Sequence, residues 1–178
     1  MHQDAATLIR LTKLTETSLI VTWLTEHHGI VKTVAKGARR EKSRFRGKLD
    51  LFYTTEMCWT ESKSSELHYL KEVSPLHYRE HISKSYKNTE CAAYFVVLLE
   101  SLVEPGGHAE GLHDLLSRAL DFLNQQAATK KAIVHFEKEV ATLLGVFSPD
   151  KQPHLLLRSI LGKLPSNRSR CMNLFDST

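Results

Sequence analysis

The chain of 178 residues has only three cysteines, Cys58, Cys91 and Cys171, and they lie far apart. Without a C-x-x-C pair, no disulfide framework or thiolate zinc module is predicted, and the cysteines are expected to be reduced thiols. Apolar runs are also short. None reaches the ~18 to 20 residues needed to cross a bilayer, and no signal-peptide pattern marks the N-terminus. These absences predict no membrane association and favour the cytoplasm.

Motifs for covalent or nucleotide chemistry are also missing. The sequence has no P-loop and no G-x-S-x-G elbow, so ATP hydrolysis and covalent catalysis lack support. The exception is His77-Tyr78-Arg79-Glu80-His81, which matches H-x-x-E-H. On a helix, its two histidines could ligate one metal, with Glu80 as general base. A five-residue match is weak in a chain with 10 histidines. A zinc peptidase is therefore only an alternative, and no catalytic residue, metal or cofactor is predicted.

A dense basic segment stands out instead. Between Lys32 and Lys48 the chain has eight basic residues and one acid, Glu41. Such a segment suits a polyanion, because neutralising phosphates releases condensed counterions. Phe45 within it is predicted to stack on bases, the alternative being an anchor that packs on the fold. A solvated basic loop without a ligand is the competing interpretation of the whole segment. The predicted DNA-binding residues are Lys32, Lys36, Arg39, Arg40, Lys42, Arg44, Phe45, Arg46 and Lys48.

The first half of the chain has the alternation and β-branched content of strands. The pattern predicts five strands without an intervening helix, which indicates a small closed barrel. Trp23 lies in the most apolar of them and is predicted to pack in the core. The predicted strands cover residues 7–14, 18–25, 30–35, 51–59 and 67–73.

Beyond Pro75 the apolar spacing changes to three and four residues, which predicts a helical bundle. Pro105-Gly106-Gly107 separates the first long helix from the second, and the polar tail 165–178 is expected to be poorly ordered. The predicted domains are 1–78 and 79–178. The predicted helices cover residues 81–103, 110–126, 130–144 and 155–164.

The order of several short motifs resembles a known family. Glu16–Thr25 reads ETSLIVTWLT and is followed by His28-Gly29, and Val34–Arg40 reads VAKGARR, with KSRF at Lys42–Phe45. This series is similar to the N-terminal signature of the bacterial DNA repair and recombination mediator family RecO. A looser similarity, FE-x5-LLG, begins at Phe136.

The resemblance implies an α+β protein with a five-stranded oligonucleotide-binding (OB) barrel followed by an α-helical domain. It implies binding of single- and double-stranded DNA, strand annealing, and work with RecR to load RecA onto strands coated by single-strand-binding protein. A cytoplasmic, nucleoid-associated location would follow. Many members have a four-cysteine zinc module in the C-terminal part, which the single Cys171 there cannot form.

Two further expectations concern partners. The family receives the acidic, Phe-ending tail of single-strand-binding protein, and Lys130 and Lys131 beside an apolar stripe are candidates for that contact. A solvated helix start is the other interpretation of these lysines. An RNA-binding OB module of the translation machinery is the second non-enzymatic alternative, since it would share the basic loop and the barrel.

Overall fold

The computed structural model describes residues 1–104, 107 and 110–176. The chain divides into two compact units. The first is Met1–Tyr78 with the described residues of 103–109, and the second is Arg79–Leu102 with the described residues from Glu110 onward. Pro105 and Gly106, predicted to break the first helix from the second, lie outside the described residues, as do the last two residues of the tail.

The first unit contains five strands: β1 (His2–Lys13), β2 (Leu19–Thr25), β3 (Ile30–Ala35), β4 (Thr54–Thr60) and β5 (Leu67–His77). They close into a barrel in the order β1-β2-β3-β5-β4. All neighbours are antiparallel except β3 and β5, which pair in parallel. The predicted α+β class and OB-like barrel are confirmed.

Alternation along the strands directs one set of side chains into the barrel. Leu8, Val21, Trp23, Met57 and Trp59 are among the residues of this core. Trp23 is fully buried, as predicted, and its indole Nε1 donates to the hydroxyl of Thr33 at 2.9 Å. This bond satisfies the one polar atom that the ring brings into the core.

Two strand starts differ from the predictions by more than one residue. β1 begins at His2 instead of residue 7, because the register pairs His2 with Trp59 of β4. The first residues of β1 lack β-branched side chains, so tertiary pairing creates a strand that local propensity does not signal. β4 begins at Thr54 instead of residue 51, since Phe52 takes a left-handed conformation (φ 70°) that interrupts an extended chain.

The second unit is helical. A 3-10 turn, Ile82–Lys84, precedes helices α1 (Tyr86–Leu102), α2 (Leu112–Gln125), α3 (Lys130–Leu143), α4 (Pro153–Leu161) and α5 (Asn167–Asn173). Within the described ranges, none of these helices has the length and apolarity to cross a membrane. The apolar spacing of three and four residues that predicts this bundle forms a buried stripe on α2, at Leu112, Leu115, Leu116, Leu120 and Leu123.

The tail 165–178 differs from the prediction of poor order, because residues 167–173 form the helix α5. Cys171 is fully buried, and Arg168 donates from Nε to the carboxylate of Glu137 on α3 at 2.6 Å. Glu137 is itself fully buried and accepts a second bond, from the Tyr94 hydroxyl on α1, at 2.6 Å. A buried carboxylate requires such partners, so the tail is ordered by tertiary contacts that its polar composition does not reveal.

Candidate nucleic-acid interface

The basic loop, residues 36–53, connects β3 to β4 as a series of tight turns. Backbone amides of Arg40, Ser43, Arg46 and Lys48 each donate to the carbonyl three residues earlier, at 3.1 to 3.2 Å. Gly37 adopts a φ of 70°, which allows the chain to turn sharply as it leaves β3. The loop therefore has a defined backbone that can hold cations in fixed positions.

Backbone hydrogen bonds attach both ends of this loop to the barrel. The amide of Arg39 donates to the carbonyl of Thr17, in the β1–β2 connection, at 3.0 Å. At its other end, the amide of Phe52 donates to the carbonyl of Leu8 on β1 at 2.9 Å. Both ends of the loop are thus held against the β1–β2 side of the barrel.

Phe45 requires a correction. Its ring is only 3% exposed and belongs to the barrel core, with the guanidinium of Arg44 above the ring at 4.8 Å from the centroid. A base cannot stack on a ring whose faces are covered, so the predicted stacking contact is wrong in this conformation. Phe45 is the anchor that the alternative interpretation describes, and it holds the middle of the basic loop against the barrel.

The cations of the loop point to solvent. In the described part of the chain, none of the eight predicted basic residues forms an ion pair with a carboxylate. Arg39 and Arg46 instead donate to the backbone carbonyls of Glu16 and Glu41, both at 3.2 Å. The positive charge therefore remains available to an external anion. The exposed residues are Lys36, Arg39, Arg40, Lys42, Arg44 and Arg46, and the half-buried ones are Lys32 and Lys48.

The outward face of β3 and β5 continues the basic surface and contains an aromatic ring that the sequence does not single out. In the parallel register Val34 pairs with Tyr69, two residues before Lys36 begins the basic loop. The Tyr69 side chain is 52% exposed, and Lys71 is exposed on the same strand. Strand alternation alone leaves either face of β5 possible for Tyr69. Its outward position is known only from the closed barrel.

The H-x-x-E-H segment does not form the helix that metal ligation requires. His77 is the last residue of β5, and His81 precedes the 3-10 turn with its backbone amide bonded to the Asn124 side chain at 3.0 Å. The i, i+4 spacing brings two imidazoles together only on a helical turn. The conformation of the segment thus removes the basis of the zinc-peptidase alternative.

The two lysines predicted to bind a partner have different surroundings. Lys130, at the start of α3, forms an ion pair with Asp176. Lys131 is exposed and lines a cavity of about 530 Å³ between α2 and α3, whose walls include Phe95, Phe122 and Phe136. Arg118 and His135 line the same cavity. An apolar cavity with basic residues around it suits an acidic peptide that ends in an aromatic side chain.

Comparison with known proteins agrees with this architecture. The family model "Recombination protein O N terminal" matches residues 1–79, the barrel unit. A DNA repair protein RecO of Bifidobacterium longum subsp. infantis is 34% identical over 136 residues, covering 75% of this chain and 56% of that protein. The RecO of Rhodopirellula baltica is 29% identical over 140 residues, 79% of this chain and 52% of that protein.

The chain spans about half the length of the curated relatives it matches. The matched segments nevertheless extend well beyond the barrel, since the family model accounts for only the first 79 residues. The closed five-stranded barrel, the family model and these relatives lead to one assignment: residues 1–79 are a RecO N-terminal domain, in a chain that is similar to DNA repair proteins RecO over 136 to 140 residues.

Proposed function

We propose that this chain is a DNA-binding repair protein that acts without catalysing a reaction. The observation that carries the proposal is the folded basic loop, whose six exposed cations have no carboxylate partner among the described residues. The relatives that match it are named DNA repair proteins. Binding through phosphates gives affinity for both single- and double-stranded DNA, with little sequence preference.

Tyr69 supplies what the cations cannot, a preference for unpaired bases. A ring with one open face can stack on a base only when that base is not already stacked inside a duplex. Lys71, on β5, and Lys36, which directly follows β3, can hold the flanking phosphates, because β3 and β5 are adjacent strands and both lysines are exposed. A single strand would thus cross the β3–β5 face and continue over the basic loop.

Annealing of complementary strands follows from the same electrostatics. Two strands repel each other through their phosphates, and a surface that neutralises both lowers the free energy of bringing them together. No catalytic group is needed. The sharpest test is a strand-annealing assay with and without single-strand-binding protein. The wild-type chain should accelerate duplex formation both on bare strands and on strands coated by that protein.

The helical unit would contact protein partners. The cavity between α2 and α3 suits the acidic, Phe-ending tail of single-strand-binding protein: the terminal ring would enter among Phe95, Phe122 and Phe136, while Lys131 would face its carboxylates. Contact with this tail would bring the chain to coated strands. Work with RecR to load RecA is the further step that similarity to the family suggests.

The role of the basic loop can be tested with a triple variant and a matched control. Among the described residues, the head groups of Lys36, Arg40 and Lys42 make no internal polar bond, so K36A/R40A/K42A should leave the loop folded. Single-stranded DNA binding should weaken, and the slope of log affinity against log salt should flatten by about 0.7 for each lost phosphate contact.

The control removes the same charge from the helical unit. K84A/K151A/K163A replaces three exposed lysines and should leave the salt slope unchanged. Equal losses in the two triple variants would refute the assignment of the loop, because net charge alone would then explain binding. Tighter binding to RNA than to DNA at moderate salt would favour the RNA-binding alternative.

A further inference from the structure

The turn between β2 and β3 covers a buried carboxylate. The Asp4 side chain, on β1, is only 1% exposed. One of its carboxylate oxygens lies 2.9 Å from His27 Nδ1, and the other lies 2.8 Å from His28 Nδ1. The backbone amide of His27 also donates to Asp4, at 2.9 Å. Glu26 places a carboxylate oxygen within 4.8 Å of the ligand atoms of both Asp4 and His27.

The backbone of this turn is held in place independently of the imidazoles. The Thr25 hydroxyl donates to the carbonyl of Gly29 and accepts from the amide of His28, both at 2.9 Å. The amide of Glu26 donates to the carbonyl of Ala5 on β1 at 2.9 Å. Gly29 has a φ of 62°, a conformation that β-carbon-bearing residues rarely adopt. The four side chains therefore extend from a preorganised backbone.

The Asp4 carboxylate is withdrawn from water, and its polar contacts come from the two imidazoles and the backbone amide of His27. A carboxylate removed from water needs a cation beside it. A protonated imidazole is one such cation, and a metal ion held by the same nitrogens is the other.

The donor set has the composition of a transition-metal site. Two imidazole nitrogens with two carboxylates suit Zn²⁺ and its neighbours in the first row, whose bonds to these ligands are about 2.0 to 2.2 Å long. The ligand atoms of Asp4, Glu26 and His27 all lie within 4.8 Å of one another, so one ion could contact all three after a modest contraction of the group. His28 Nδ1 lies 2.8 Å from the second oxygen of Asp4, at the edge of this group.

We propose that Asp4, Glu26 and His27, with His28 beside the second oxygen of Asp4, form a binding site for one divalent transition-metal ion of the Zn²⁺ class. The ion would join the β2–β3 turn to β1 and so stabilise that end of the barrel. His27 and His28 also line a cavity of about 730 Å³ together with Lys32, and the ion would add positive charge at its edge. This site is separate from the basic loop and does not depend on the proposed DNA binding.

The test is a titration of the full chain, purified without a histidine tag, with Zn²⁺ by calorimetry and with Co²⁺ by visible absorption. We expect one ion per chain, d–d bands typical of nitrogen and oxygen ligands, and a higher unfolding temperature when the ion is present. No binding by the wild-type chain would overturn the proposal.

Variants locate the ion. H27A/H28A removes two exposed ligands and should weaken binding by more than about 100-fold, and Asp4→Asn, which preserves the shape of the buried side chain, should do the same. The matched control is H77A/H81A, which removes two exposed histidines elsewhere and should bind as the wild type does. Binding that survives H27A/H28A, or that is lost only in H77A/H81A, would refute the assignment. Circular dichroism checks that each variant is folded.

Discussion

Phe45 and Tyr69 lie in the same unit with opposite exposure, and this difference yields a matched pair of substitutions. In the variant Y69L a 52% exposed ring loses its aromatic face, and in F45L a 3% exposed ring is replaced by an apolar side chain of similar size. If Tyr69 stacks on a base and Phe45 anchors the loop, the first change should affect DNA binding and the second should affect stability.

The magnitudes follow from the two environments. Loss of one base–aromatic stack costs about 1 to 3 kcal/mol, so Y69L should raise the Kd for single-stranded DNA by about 5- to 150-fold. Its free energy of unfolding should change by less than about 0.5 kcal/mol, because the side chain is half exposed. F45L conserves most of the core volume and should cost less than about 1.5 kcal/mol of stability, with DNA affinity almost unchanged.

Fluorescence anisotropy with a labelled oligonucleotide at constant salt measures the affinities, and urea unfolding measures the stabilities. Binding of double-stranded DNA serves as an internal control, since duplex bases are not available to the ring and Y69L should leave that affinity near the wild-type value. The reasoning is refuted if F45L weakens single-strand binding as much as Y69L does, or if Y69L weakens duplex binding to the same degree.

Three further predictions concern the helical unit. Arg168→Met leaves the buried Glu137 carboxylate without its cation, so the free energy of unfolding measured in urea should fall by about 3 kcal/mol; an unchanged value would contradict the role of this pair. Burial, and then the charge of Arg168, lower the pKa of His154 in the folded chain below 6.5. As the pH falls, the unfolded chain therefore binds a proton at His154 before the folded chain does, and the folded state loses stability. His154→Gln should therefore raise the thermal midpoint relative to the wild type at about pH 5 and leave it unchanged at about pH 8, and a difference of equal size at both values would show that titration is not the cause. Lys131→Ala should weaken binding of an acidic, Phe-ending peptide about fivefold, whereas Lys130→Ala, whose ammonium is already paired with Asp176, should not; equal effects would argue against the cavity.

Local patterns were enough to predict most of the secondary structure. β3 matches its predicted range, 30–35, because β-branched residues fill it and a glycine turn precedes it. The stripe on α2 is buried as its three- and four-residue spacing indicates. The cations of the basic loop are exposed for an equally local reason, because lysine and arginine are almost never buried without a partner of opposite charge.

Other features depended on contacts between residues distant in the chain. β1 extends back to His2 through its register with β4, and α5 forms because Arg168 meets a buried carboxylate on α3. Neither signal is present in the neighbouring sequence. The H-x-x-E-H match fails for the same reason, because its first histidine ends a strand whose partner, β4, lies elsewhere in the chain.

The amino-acid sequence by itself determined where most of the strands and helices lie, that the basic residues meet water, and which family motifs are present. The tertiary structure alone decided that Phe45 faces inward and Tyr69 outward, and that Asp4 meets His27 and His28. The physical reason is that hydrophobic periodicity specifies a face of each element, whereas only the closed register of the barrel specifies what that face contacts.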